Sequence, residues 1–496
     1  MQFESPKDIP DINYEIVIVG SGPAGLSIVN SLKKSNKKIL ILEAGFQDFD
    51  KRSQVFYEGT KSGYKHADLD LYRKRQLGGS SNCWGGACLP FDEIDFNLTY
   101  LKNKVWPISR NDLITYYEQA GEFYGIGNYF KIPKVPKVFV NDLKGISQSY
   151  FLVNDSNKVF TKFYEEIFSK YLNIDLCLRA NVFDIDFSNN ARIRSLKIKD
   201  YDGKEKTISG ENFILAAGGI ESTRLLLNWS EKYNQFKYIK NNLGYYYSPH
   251  INIFTGRLIA DPNKIKDIEY VSIGKGVIGK AYFSLQFDEN QQSTYLNSKW
   301  NIYLPNKLKN AVKEIITGDL SLESIFSSIK ELSDKNDNLL INYLSKKNEK
   351  NNLYTMSAAF DQTPTRESRI QLIDEKDTLG LKKVNLNFHI EEEDISRIKN
   401  TYLEIARILG ENGIGRMNIG KVDEFLNNNQ IGRSHHTGTI RMAIDNSLGC
   451  VNNKLKVFGI DNLWVCSSAV FPRPSHANPT FTIMALANRL AEEFKS

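Results

Sequence analysis

Six residues, Gly20-Ser21-Gly22-Pro23-Ala24-Gly25, stand between an apolar segment and a helical pattern, and they leave few folds open to this chain. The segment before them, Tyr14–Val19 (YEIVIV), is rich in β-branched residues and predicts a buried parallel strand. After them, Leu26, Ile28, Val29 and Leu32 share one side of a helix predicted from about Ala24 to Leu32. Lys38–Leu42 (KILIL) predicts a second strand, which ends at Glu43, 18 residues past the last glycine. In such a unit Gly20 permits the tight turn, Gly22 lets the backbone approach a pyrophosphate, and Gly25 lets helix and strand pack closely. The helix start at Pro23 and Ala24 offers N–H groups and a positive dipole end to phosphate. Glu43 stands where a carboxylate would hold an adenosine ribose, and an acid there argues against a 2′-phosphate. The expected class is α/β, with a doubly wound, Rossmann-like nucleotide-binding domain.

The 496 residues suffice for two or three domains. The 64 basic and 58 acidic side chains nearly cancel, and no long block of one sign suggests a nucleic-acid partner. The Lys/Asn-rich stretch from Ser333 to Asn352 is expected to be a solvated loop. Five cysteines, an odd number without CxxC spacing, argue against a disulfide framework. No apolar run is long enough to span a membrane, and the N-terminus has no secretory pattern. A cytoplasmic protein is the expectation.

Other segments extend the picture. Gln76–Pro90 (QLGGSSNCWGGACLP) holds Gly78, Gly79, Ser80, Ser81, Asn82, Trp84 and Gly85 in a loop able to wrap a planar ligand. Ser109, with Asp112 three residues on, predicts a helix start. Strand-like runs at Asn181-Val182 and at Asn212–Ala217, the latter followed by Gly218-Gly219, look like returns to the nucleotide domain. Val182, Ala217, Gly218 and Ser468 are therefore further candidates for cofactor contact. Ile395, Ile398, Tyr402, Ile405 and Leu409 make the apolar stripe of a helix from Asp394 to Leu409, with Gly410 as its stop. The nucleotide domain is expected to be discontinuous, over 1–95, 176–255 and 431–496. The insertions 96–175 and 256–430 would form an α+β substrate domain.

The C-terminal segment carries the chemistry. IGRSHHTGTIRM presents His435, and HANPTFTIMALANRLAEEF presents Asn478, 43 residues later. Oxidising an alcohol requires a base at the hydroxyl and a polar partner that steadies the alkoxide as charge develops. An imidazole and a neutral amide suit these roles. Pro479 fits the first position of a helix. The N–H groups from Thr480 onward could face an electron-rich ligand edge and stabilise negative charge there. His436 is expected to face away, as its neighbour would in a strand. His476 and His250 are minor candidates for ligand contact, and His66 and His389 are background. No metal site is expected, because no ligand pair has the right spacing.

Taken in order, GSGPAG with Glu43, LGGSSNCWGG, WPIS, NFILAAGGIESTRLLL, NNLGYYYSPH, DQTPTRESRIQL, HTGTIRM and NPTFTIMALANRLAE span most of the chain. In this pattern the chain resembles the glucose–methanol–choline (GMC) family of FAD-dependent oxidoreductases. The resemblance implies bound FAD, a small hydroxylated substrate, and hydride transfer to flavin N5. It places the catalytic histidine at His435 and its partner at Asn478. Relatives that bind FAD covalently do so through a histidine near the W-G of the glycine loop, where this chain has Cys83, so the expected FAD is non-covalent. A sugar, sugar derivative or other alcohol is the expected substrate, and the electron acceptor is left open. An FAD-containing non-redox lyase of the same fold is the alternative.

Overall fold

The computed structural model describes residues 1–96, 106–132, 135–154, 159–188, 191–254, 256–303 and 352–495. Most of the Ser333–Asn352 stretch lies outside them. An eight-stranded sheet forms the nucleotide-binding half. Its parallel part runs in the order Gln2–Phe3, Ile174–Cys177, Ile39–Leu42, Tyr14–Val19, Glu205–Leu215, with Leu463–Val465 also on Glu205–Leu215. Register pairs Val19 with Leu42 and Leu215, and Leu215 with Val465. The carboxyl ends of four strands therefore arrive together, and ligands in open α/β sheets bind at that edge. The N-terminal half of Glu205–Leu215 turns away to pair antiparallel with Ile193–Lys199, which pairs with Asn181–Phe187.

The helix Pro23–Leu32 follows the first long strand directly. Gly20 turns with φ +107°, and a Cβ there would lie 2.6 Å from the Ala216 carbonyl oxygen. A Cβ on Gly25 would lie 2.3 Å from the Gly20 carbonyl oxygen, so only glycine lets this helix sit so close to its strand. The C-terminal helix Pro479–Ala491 packs beside it.

A second, antiparallel sheet carries Tyr270–Gly274, Val277–Leu285, Ser298–Tyr303, Leu353–Phe360, Arg257–Ala260 and Gly415–Asn418 in that order. Ile146–Asn154 pairs with Val277–Leu285, and Ile251–Ile253 with Leu353–Phe360. Alternation gives it two unlike faces. Ala281, Phe283, Trp300 and Ile302 enter an apolar core with Ile398, Tyr402, Ile405 and Leu409 of the helix Glu392–Glu411. Trp300 meets Tyr402 edge to face at 4.5 Å. Lys280, Tyr282, Lys299, Asn301 and Tyr303 occupy the other positions, facing the first half. A three-stranded sheet, Arg369–Lys376, Lys382–Phe388 and Thr60–Gly63, joins the two halves.

Two local expectations need correction. Gly410 does not stop its helix, which runs to Glu411 and is closed by Asn412, whose N–H donates to the Ile408 carbonyl, with Gly413 turning at φ +61°. Tertiary packing of Ile408 and Leu409 outweighs the weak helix propensity of one glycine. The residues around His436 are not a strand, as described below. The Ser109 cap is present: the Ser109 N–H donates to Asp112 Oδ2 at 2.8 Å, and the Asp112 N–H to Ser109 Oγ at 3.3 Å.

Candidate active site

A cavity of about 450 Å³ opens at the carboxyl edge of the first sheet, within the range of small-molecule sites, roughly 300–1,000 Å³. Gly20, Gly22, Pro23, Ala24 and Glu43 form one end. Nothing lies within 4 Å of a Cβ built on Gly22, so its bare backbone faces the opening. Gly79, Ser80, Ser81, Trp84 and Gly85 form a wall, and Val182, Ala217, Gly218 and Ser468 line the middle. His435, Asn478, Pro479 and Thr480 close the far end.

Three expected contacts fall behind this lining. Gly25 packs helix on strand. Gly78 uses its N–H to bind Ser21 Oγ at 3.1 Å. Asn82 turns its amide inward, donating to the carbonyls of Leu77 at 2.8 Å and Gly79 at 2.9 Å. They shape the loops, because a tight glycine-rich turn must satisfy its own backbone before it can offer a surface.

Glu43 also organises its own surroundings. Its Oε2 accepts from the Ser21 N–H at 3.1 Å and from the Ser21 hydroxyl, and its Oε1 accepts from the Gly45 N–H at 2.7 Å. Burial pushes the carboxyl up, opposed by these donors. The carboxylate thus fixes the turn whose glycines face the cavity, which it also lines.

The sequence reading missed a basic floor. Arg73, Lys74, Arg75 and Tyr57 also line the cavity. Glu221 pairs with Arg224 at 2.6 Å and lies 3.8 Å from Arg75 and 3.9 Å from Arg73. Burial alone would raise the Glu221 carboxyl, but the three arginines outweigh it and hold it below its ordinary value. Arg73 Nη1 is buried with no hydrogen-bond partner. An orphaned guanidinium donor, bare glycine backbone and two helix N-termini make a donor set that fits a dinucleotide with a pyrophosphate.

The reactive corner is built from distant parts of the chain. His435 sits in the left-handed region at φ +67°, a conformation rare outside glycine and found where structure over-determines it. This turn, not strand alternation, separates His435 from His436. The ring of His436 stacks on Tyr247, away from the corner, while its carbonyl accepts from Ser468 Oγ at 2.6 Å.

Asn478 is the N-cap of the helix Pro479–Ala491, yet its side chain makes no capping bond. Its Oδ1 accepts from Lys299 Nζ at 2.8 Å, and its Nδ2 donates to His435 Nε2 at 3.4 Å. His435 Nδ1 meets His250 Nδ1 at 3.0 Å. These contacts allow one consistent assignment of protons. The ammonium must donate, so it takes the amide oxygen and turns the amide nitrogen toward His435. His435 Nε2 then carries a lone pair, Nδ1–H donates to His250 Nδ1, and His250 keeps its proton on Nε2. Burial, with Lys299 adding to it, pushes His435 down to about 3, and His250 lies well below its ordinary value for the same first reason. His435 is thus neutral and basic at Nε2 across the physiological range.

Neither Lys299 nor the His250 contact was expected. Alternation in Ser298–Tyr303 was the available signal, since Lys299, Asn301 and Tyr303 interleave with Trp300 and Ile302. His250 carried none beyond its place after Ser248-Pro249. His476 is buried beside Asp92, 3.6 Å from its carboxylate, and both its ring nitrogens lack hydrogen-bond partners.

The parallel sheet, glycine turn and cavity fit an enzyme built around a dinucleotide cofactor, with an imidazole and an amide at one end. Residues 14–244 match the family model for pyridine nucleotide-disulphide oxidoreductase, and residues 364–487 match that for GMC oxidoreductase. Over residues 364–487 the chain is similar to the GMC oxidoreductases, which together with the nucleotide-binding match makes it an FAD-dependent oxidoreductase. Among solved structures it is similar to pyridoxine 4-oxidase from Mesorbium loti, at 15% identity and TM-score 0.55, covering 97% of this chain and 99% of that one. It is also similar to formate oxidase from Aspergillus oryzae RIB40, at 15% identity and TM-score 0.58, covering 98% and 99%. At that identity the likeness is one of fold. No curated protein sequence matches the chain. Among the described residues no helix is long and apolar enough to cross a membrane.

Proposed function

We propose that this protein oxidises a hydroxyl group of a small molecule, a sugar derivative or other alcohol, to a carbonyl, with His435 as base. The observation that carries this reading is the chain Lys299–Asn478–His435–His250, which sets the lone pair of His435 Nε2, held only by the long 3.4 Å contact from Asn478 Nδ2, at the far end of the cavity. FAD, when bound, supplies the hydride acceptor. His435 Nε2 takes the hydroxyl proton, and the Asn478 amide N–H, 3.4 Å away, steadies the oxygen as it becomes negative. The N–H groups following Pro479 are not spent on a side-chain cap, and they remain for an electron-rich ligand edge.

Glu43, Gly22 and the Arg73–Arg75 floor would hold the adenosine diphosphate end. We place the cofactor domain at 1–95, 176–255 and 431–496. Ile251–Ile253 hydrogen-bonds within the second sheet, which favours drawing the middle boundary just before it. The attachment is taken as non-covalent: burial pushes the Cys83 thiol up to about 11 and its Sγ donates to the Ser80 carbonyl, so no thiolate is available to form a bond. Acid precipitation is expected to leave a colourless pellet and free FAD, and a flavin-labelled peptide containing Cys83 would refute it.

The test is an anaerobic flavin-bleaching screen across sugars, sugar acids and simple alcohols. The reading expects at least one alcohol to bleach the flavin and yield its carbonyl. Turnover of a substrate without bleaching would favour a non-redox lyase of the same fold.

A further inference from the structure

Resting on that reading, we propose that the face of the second sheet opposite His435 is an anion subsite, and that the substrate is an alcohol carrying a carboxylate or phosphate, held by Lys299 with Asn301 beside it.

Lys299 is only 8% exposed, and among the described residues no carboxylate lies within ion-pair distance of it. Its charged neighbour is another ammonium, that of Lys280, which is 9% exposed and sits 4.2 Å over the Tyr303 ring. Burying an ammonium without a counter-charge is costly, and natural proteins pair such groups. The aromatic face of Phe151, 5.6 Å away, is a weak substitute. One of the three ammonium donors goes to Asn478 Oδ1, so two remain.

Asn301, two residues along the same strand and on the same face, gives an independent sign. It is 8% exposed, and its Oδ1 is buried without a hydrogen-bond partner. A buried amide oxygen left bare awaits a donor, such as a second hydroxyl or the proton of a phosphate monoester. The rings of His435, His250 and His476 are all held neutral by burial, so Lys299 keeps the positive charge of this corner without a compensating anion. Desolvation and Lys280 bring Lys299 down to about 8, still protonated at neutral pH, and a bound anion would raise it. The Asn478 contact also sets the spacing. Through Asn478, Lys299 and His435 Nε2 are held on either side of one amide, so an anion at Lys299 would lie beside the base.

The test uses holoenzyme titrated with acetate, a carboxylate that cannot be oxidised, and with neutral acetamide, following the flavin spectrum and binding heat. Acetate is expected to bind about 10- to 100-fold more tightly than acetamide, the worth of a charge-assisted contact. Lys299→Met should abolish that preference, and Lys299→Arg should keep most of it. Inorganic phosphate run as a third probe tells which anion the site prefers, and either preference supports the subsite. Because Lys299 also orients Asn478, its loss should slow the oxidation of every alcohol. The deciding figure is therefore the ratio of kcat/KM for a hydroxy acid over its hydroxy amide, which should fall at least tenfold in Lys299→Met and also fall in Asn301→Leu. Equal affinity for acetate and acetamide in the wild type, or an unchanged ratio in both variants, would overturn the proposal. Neutral alcohols that bleach the flavin as fast as hydroxy acids would refute the subsite and leave the oxidase reading intact. A strong acetate preference with no alcohol bleaching the flavin would do the reverse.

Discussion

The two ends of the cavity are made of different material. The nucleotide end is mostly backbone: bare glycine at Gly22, a turn at Gly20, and the N-terminus of Pro23–Leu32, all tied by Glu43 through Ser21 and Gly45. The reactive end is mostly side chain: His435, Asn478, Lys299 and His250, drawn from four separate stretches of sequence. Binding a phosphate needs many aligned N–H groups and tolerates slight displacement. Moving a proton needs one lone pair in one tautomer, so every neighbour must have its hydrogen bonds specified. Asn478 belongs to both ends, with its backbone opening the last helix and its amide serving the base.

This division can be broken experimentally. Asn478→Ala should lower the rate of flavin reduction by about 10²–10³-fold, the cost of losing a donor at a developing oxyanion. It should leave FAD content near normal, measured as the flavin-to-protein absorbance ratio. Loss of FAD in that variant would erase the distinction. Glu43→Ala should do the opposite, weakening FAD retention about 10- to 100-fold because the Ser21 and Gly45 donors lose their acceptor, while reconstituted enzyme reduces at close to the wild-type rate.

The pH profile is the smallest effect and the sharpest. Because His435 is pushed down to about 3, its base form is present throughout the range above that value, and it is lost only as the pH falls toward 3. From pH 7.5 to 5 the reductive rate should therefore change by less than about twofold. A base titrating at an ordinary histidine value near 6.5 would lose roughly thirtyfold at pH 5, and that slope would show that the corner is wetter than described.

The same contrast decides what was legible in the sequence. The elements framing the nucleotide end were legible, with Tyr14–Val19 matching its strand and Pro23 opening the helix after the glycine turn, because backbone geometry imposes local residue requirements. His435 and Asn478 were legible only through the family resemblance. Lys299 was not, since it reaches Asn478 across 179 residues and reads locally as one polar position in a strand. His250 was only a minor candidate for ligand contact, for the same reason. The basic floor was missed because Arg73–Arg75 precede the glycine loop, and nothing in their spacing signals that they turn inward. His436 stacks on Tyr247, and a left-handed residue, not the expected strand, sets its ring apart from that of His435.

The central claim is that His435 Nε2 takes the substrate proton. It is tested most directly by the anaerobic reductive half-reaction of His435→Ala beside the wild type and His436→Ala, each loaded with FAD and mixed with a substrate from the bleaching screen. In His435→Ala the flavin spectrum should stay near normal, and its reduction should slow about 10²–10⁴-fold, while reoxidation by an acceptor is unchanged. His436→Ala should slow it far less. A fast reductive step in His435→Ala would contradict the account and move the base elsewhere, with His476, whose ring nitrogens make no hydrogen bond, the next candidate.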